Sequence, residues 1–277
     1  MKIAVASVSS QLFLPYVCAL ARSVRHNSPN VYMRIHLINP TDAGILEAQR
    51  AIGKGGVTVE RVPLAEEEVA AYCSNSRIRI TRDEFSKSYD VVINMDADAI
   101  VRGDLTQALS GAMDGKDVLL YKQSRLKVQD PGEKLYFLAC MSIFCNTPNA
   151  GAFLDAWQVE LTPMGRLWFG DQIALYRAFK KTEHTVRLGD LPTTLLDTRF
   201  SLNSVVWMAK GQKKYASAMY ALELEKYSGR AISPVNRLYI SFMQVLLRAV
   251  SLVHESRIRI ITFLVSVRDV LSVKKQK

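Results

Sequence analysis

Over its first hundred residues the chain alternates short apolar runs with stretches of helical period, and turn chemistry separates them. Residues 2–8 (KIAVASV) and 31–38 are almost continuously apolar, as strands covered on both faces must be. A third strand is predicted over 57–64. The most strand-like run of all is 89–95 (YDVVINM). Between these, residues 14–24 repeat apolar side chains at helical spacing and stop at His26-Asn27-Ser28-Pro29. A helix over 43–52 follows the capping turn Asn39-Pro40-Thr41-Asp42 and ends at a glycine cluster at 53–56. Another, over 66–73, opens with Glu66-Glu67-Glu68, which complements the positive end of the helix dipole. Such alternation predicts an α/β fold: a mostly parallel sheet flanked by helices, with 89–95 near its centre. Further strands are predicted over 118–121, 136–145 and 186–191, and a helix over 169–180.

Charge divides the chain. The net charge is +10, yet residues 230–277 hold nine Lys or Arg against two acids. A nucleic-acid reading of the whole protein therefore fails, because the excess sits mainly in the tail. There, polar residues recur from Arg237 to Asp269 about every 3.6 positions, the helical period. The longest uncharged run, 238–247, is too short to span a bilayer. We therefore divide the chain into an α/β domain at 1–215 and a basic, amphipathic helical region at 216–277. That region suits an anionic membrane surface, a second copy of the chain, or packing on the domain. Near the N-terminus Ala19-Leu20-Ala21 resembles a leader cleavage site, but polar residues 7–11 interrupt the apolar run, which reads better as strand, loop and helix. Four cysteines without a C-x-x-C pair argue against zinc and for a reducing compartment. The expected location is cytoplasmic, with peripheral attachment to the membrane's cytoplasmic face as the tail's contribution.

Chemistry concentrates where the run 89–95 ends. Asp96-Ala97-Asp98 brings two carboxylates to the C-terminal end of an apolar strand, the edge at which open α/β sheets bind ligands. Oxygen donors of this kind suit Mg²⁺ or Mn²⁺, which in turn can hold a diphosphate. The bland alternative is a loop with two solvated acids. The helix start after Val101-Arg102-Gly103-Asp104-Leu105 favours the metal site.

The segment INMDADAIVRGDLTQAL resembles the core motif of GT-A glycosyltransferases, especially glycosyltransferase family 8 and its relatives. Three more segments resemble that family in the same order. Tyr72 to Ile80 is similar to its Tyr-x-Arg stretch, which implies that Arg77 binds the donor. Trp168 to Leu175 is similar to its Asp-Gln-x-x-Leu helix, which implies that Asp171 and Gln172 face the donor sugar. Residues 206–214 resemble the segment closing the catalytic domain, which implies Lys213 and Lys214 near the diphosphate. Together the four cover about residues 1–215. The resemblance implies a GT-A fold, a nucleotide-diphosphate sugar as donor (a UDP-sugar favoured), and Mn²⁺ or Mg²⁺ on Asp96 and Asp98. It also implies a glycan or lipid-linked acceptor in surface polysaccharide or lipopolysaccharide assembly, and retention of anomeric configuration. Three positions depart from the pattern. Met208 stands where the family places a metal-binding histidine, and a thioether is a poor ligand for a hard cation. Ser7-Val8 replaces the nucleobase-binding pair, leaving Ser7 as the donor-binding candidate. Leu138-Ala139-Cys140 replaces an Asn-x-Gly.

The chemistry agrees with that resemblance. Glycosyl transfer needs a departing diphosphate neutralised and a polar group placed at the anomeric carbon. Other readings are an inactive glycosyltransferase-like binding protein, motivated by Met208, and a sugar-nucleotide pyrophosphorylase. The pyrophosphorylase would need a glycine-rich loop after the first strand, and 7–15 contain no glycine. Asp171 has an ordinary alternative in helix capping, Arg77 in a solvated surface, and Lys213 and Lys214 in a basic chain exit. The four histidines are scattered. Trp157, Trp168 and Trp207 are expected in the core, and Cys140 is expected to be buried rather than nucleophilic.

Overall fold

A computed structural model describes residues 1–122, 132–165, 167–209, 211 and 217–229. Lys213, Lys214 and the basic tail from 230 onward lie outside the described residues. Met1–Arg230 form one compact unit.

In chain order the elements are β1 (Ile3–Ser10), α1 (Leu14–Asn27), β2 (Tyr32–Ile38), α2 (Asp42–Ala51), β3 (Lys54–Glu60), α3 (Glu66–Phe85), β4 (Val91–Met95), β5 (Ala99–Val101), α4 (Leu105–Leu109), β6 (Val118–Lys122), α5 (Glu133–Tyr136), β7 (Phe137–Cys145), α6 (Pro148–Leu161), α7 (Gly170–Thr182), β8 (Leu188–Asp190), β9 (Val206–Met208) and α8 (Ala218–Lys226). Seven strands form one sheet in the order β3-β2-β1-β4-β7-β6-β8, with β4 at its centre as the sequence predicts. The pairs β1–β2, β2–β3, β1–β4 and β6–β8 are parallel. Only β7 runs against its neighbours, β4 and β6. The sheet is thus mostly parallel and flanked by helices, the expected class.

The local departures have physical reasons. α3 is 20 residues long, far beyond the predicted 66–73. Its second half contains poor helix formers, Ser74-Asn75-Ser76 and Ile78 to Thr81, but it buries Ile78, Ile80 and Thr81, and that packing outweighs propensity. The glycine cluster at 53–56 opens β3 rather than a loop. Gly55 has φ 130°, and a Cβ there would collide with the Met33 carbonyl oxygen. α6 escapes the periodicity reading, although Thr147 caps it by accepting from the Ala150 amide and Pro148 opens it. β5 and β9 pair as a separate two-stranded sheet, each too short for a pattern to betray.

Two cores result. One lies under α1 and α2 and contains Val17, Leu20, Ile35 and Ile93. The other lies under α6 and α7, where Phe144, Phe153 and Trp157 interlock. Trp157 also donates its indole N–H to the Asp171 carbonyl at 2.9 Å, pinning the start of α7. Trp157, Trp207 and Cys140 are buried as expected, and Cys18 is buried too.

At the end of β3, Glu60 joins β2 to α3. It pairs with His36 at 2.7 Å and accepts from the Tyr72 hydroxyl at 2.6 Å and from Arg79. Burial raises the Glu60 pKa, but the bonds from Tyr72, His36 and Arg79 outweigh it and bring it from 4.5 to about 2. Burial also lowers the His36 pKa below 6.5. Both shifts are depressions, so both contribute stability that is present above the unfolded pKa and lost as pH falls through the folded one. Glu60 is partly exposed, and after solvent screening its share is about 1–2 kcal/mol. The melting temperature followed by circular dichroism should hold near pH 7 and fall in two stages, below pH 6.5 and again below 4.5. Glu60→Gln should flatten the second stage.

Candidate active site

β1, β2 and β4 all end at the same edge of the sheet, and a cleft of about 430 Å³ opens there. This is where parallel α/β sheets bind ligands, because the chain must leave each strand and the loops diverge. Val8 to Phe13 form one wall, beyond the end of β1. Ile38 and Asn39 follow from β2. Asn39 has φ 48°, a left-handed turn that asparagine tolerates, and its side chain is locked to Val62 by two 2.7 Å bonds. The opposite wall is α3, from Glu66 to Arg77. The floor is Asn94 to Asp98.

Arg77 organises the floor. Its side chain is largely buried, Nη1 lies 2.8 Å from Asp96 Oδ1, and Nε lies 3.5 Å from Asp171 Oδ2. It also donates to the carbonyls of Ser74 (2.8 Å) and Ala139 (2.6 Å). Burial works against its charge, but Asp96 and then Asp171 more than compensate and hold its pKa above the ordinary value. The solvated alternative for Arg77 therefore does not apply. A planar guanidinium with donors fixed in a fork can serve these partners at once, which an ammonium could not.

The carboxylates come from different elements. Asp96 follows β4, and its amide donates to the Cys140 carbonyl at 2.8 Å. Asp98 leads into β5 and also lines the cleft. Asp171 lies in the first turn of α7, only 3% exposed, behind Arg77 rather than on the cleft wall. The residue that caps α7 is Phe169, whose φ of 65° is left-handed, a costly conformation for a bulky side chain and one that clusters at functional sites. Gln172 turns toward the start of β7, where, with its amide turned so that nitrogen faces the acceptors, it donates to the carbonyls of Lys134 (2.9 Å) and Phe137 (3.0 Å).

Other predicted positions fall elsewhere. Ser7 is fully buried in β1, one residue short of the wall that begins at Val8, and its hydroxyl finds no partner among the described residues. Met208 lies in β9, buried and paired with Ala99. Among the described residues no group of three His, Cys, Asp or Glu could hold a metal ion. Trp168 departs from the expectation of a core residue: it is 53% exposed and lines the cleft. Asn94, also on the floor, escapes the sequence reading. It is buried and donates to the Ala139 carbonyl at 3.1 Å.

No protein-family model matches the sequence, and no curated protein sequence does. Solved structures do. Galactosyltransferase LgtC, solved with donor and acceptor sugar analogues, superposes with a TM-score of 0.57 at 13% identity over 84% of this chain and 99% of LgtC. GlyE, a glycosyltransferase of Streptococcus pneumoniae TIGR4, gives 0.58 at 14% identity over 88% of this chain and 64% of GlyE. The bifunctional glycosyltransferase WbbM gives 0.54 at 14% identity over 87% of this chain and 51% of WbbM. The chain has a GT-A glycosyltransferase fold. Asp96 and Asp98 both line the strand-end cleft. No helix among the described residues is long and apolar enough to cross a membrane.

Proposed function

We propose that this chain is a glycosyltransferase that moves a sugar from a nucleotide diphosphate to a glycan or lipid-linked acceptor. The observation that carries this reading is Arg77, buried at the base of the strand-end cleft and shared between Asp96 and Asp171. A cation so held is pre-organised to meet the negative charge that builds on a departing diphosphate.

Asp96 and Asp98 fit a divalent ion of the Mg²⁺ or Mn²⁺ type. Such ions are bound by one or two carboxylates and complete their shell with water and substrate phosphates. Bound there, the ion would supply further positive charge to the leaving group. Met208 adds nothing to this set, since a buried thioether is no ligand for a hard cation. Val8 to Gln11 would line the nucleoside and exclude water from it. Asp171 holds the Arg77 guanidinium from behind. Gln172 does not line the cleft, so its assignment to the sugar rests on the motif alone. A retained anomeric configuration is expected, and NMR of the product anomer checks it.

The acceptor would enter at the mouth of the cleft. There the exposed Trp168 indole offers an apolar face of the size of a sugar ring. Trp168→Ala should raise the acceptor KM about 5- to 10-fold while the KM for donor hydrolysis stays constant. Parallel changes in both constants would place Trp168 on the donor side instead.

Hydrolysis of UDP-, GDP- and CDP-sugars, followed with and without Mn²⁺, tests the activity itself. Metal-dependent hydrolysis of a UDP-sugar is expected. The second reading, a binding protein without turnover, is favoured by Met208 in place of a third ligand. Nucleotide binding without hydrolysis or transfer would select it.

A further inference from the structure

The short ladder that follows Asp98 is held from outside the cleft. Asp98 leads into β5, a strand of three residues whose one sheet partner among the described residues is β9. So short a ladder has little rigidity of its own. The missing restraint comes from α8. Tyr220 is fully buried, and its hydroxyl donates to the Asp98 main-chain carbonyl at 2.8 Å. Its ring packs on Phe200, centroids 5.6 Å apart, and Phe200 packs edge-on to Trp207 of β9 at 5.4 Å.

The far end of β5 is tied down by α1, which also holds the segment following α8. Asn27 donates both to the Val101 carbonyl and to the Tyr227 hydroxyl, each at 2.8 Å. Arg22 donates to the Ser228 carbonyl at 2.7 Å and to the Tyr227 carbonyl at 3.1 Å, anchoring the chain just after α8. Arg102, one residue past β5, lies 3.9 Å over the Trp207 ring and 3.6 Å from Glu223 of α8. The segment from 218 to 228 thus reaches β5 directly at the peptide next to the cleft, through Tyr220, and at its far end through Asn27 and Arg102.

We infer that Tyr220 is a positioning residue, whose hydroxyl fixes the peptide presenting the Asp98 carboxylate and thereby sets the affinity of the cleft for a divalent cation held with a diphosphate. This rests on the donor-cleft reading above. The cation's share of binding should therefore depend on a hydroxyl that neither touches it nor lines the cleft.

Tyr220→Phe keeps the ring and its packing and removes only the donor. In full-length protein, calorimetric titration with UDP in Mn²⁺ should give an affinity about 3- to 10-fold weaker than the native protein, the range for one lost hydrogen bond. The same titration in EDTA should be unchanged, and the melting temperature should fall only by the few degrees that one buried hydrogen bond costs. A merely structural role would instead weaken both titrations alike, which would overturn the assignment. Native metal-dependent binding with an unaltered variant would overturn it too, while leaving the donor cleft intact. Absence of metal-dependent binding in the native protein would overturn the donor-cleft reading and this inference together.

Discussion

Arg77→Ala is expected to abolish nucleotide binding and to destabilise the fold at the same time. Asp171 is almost wholly buried, and the substitution removes the guanidinium 3.5 Å from its carboxylate. Removing one member of a buried ion pair costs about 3–5 kcal/mol, because the remaining charge keeps its desolvation penalty. For a domain of this size that is roughly 6–20 °C in melting temperature. The carbonyls of Ser74 and Ala139 also lose their donors. Stability and function can be separated. Arg77→Leu combined with Asp171→Asn removes both charges and should recover much of the lost stability, since a buried pair replaced by neutral groups is often no less stable. It should not recover UDP binding, because no cation remains at the floor. Arg77→Lys should fall between them: the charge survives, but a point charge cannot satisfy two carboxylates and two carbonyls at once. Melting curves and calorimetric titrations of the three variants check this order. Native-like UDP affinity in the double variant would remove Arg77 from the donor site.

Asp98→Asn is expected to act in the opposite way, leaving stability nearly untouched and turnover largely lost. The side chain lines the cleft and is only partly buried, and the bond from Tyr220 goes to its main chain, which the substitution preserves. The change in folding free energy should stay below about 1 kcal/mol. Turnover should fall roughly 100- to 1,000-fold, the effect of removing several kcal/mol of charge stabilisation from a leaving group. Raising Mn²⁺ should recover part of the loss if the ion is merely bound more weakly. Turnover within about threefold of native at limiting Mn²⁺ would show that Asp98 holds no ion.

What the sequence reveals and conceals here follows from how each group is encoded. Asp96 and Asp98 are legible because an uninterrupted apolar run ends at them, and such runs end at the binding edge of a parallel sheet. The strands themselves are legible for the same reason as far as β4. Beyond it β7 is legible as a strand but its antiparallel direction is not, and the three-residue β5 and β9 carry no periodicity to read. Arg77 is visible only as a motif position, since nothing in its neighbours announces a buried cation. Its partners at Ala139 and Ser74 are carbonyl oxygens, which any residue carries. Trp157, Trp168 and Trp207 are chemically identical, and only the path of the chain separates two core residues from one at the cleft mouth. Tyr220 stands in a region that reads as an appendage by charge and period. Its burial against β5 is a tertiary fact with no local signal.

On the proposed reading, the strand-end cleft binds a nucleotide diphosphate through Arg77 together with a divalent ion on Asp96 and Asp98. Calorimetric titration of the full-length protein with UDP, in Mn²⁺ and in EDTA, tests it most directly. Saturable binding that is at least about tenfold tighter with the metal, and that Arg77→Ala removes, is the predicted result. No binding at millimolar UDP in either condition, or binding that Arg77→Ala leaves intact, would contradict it.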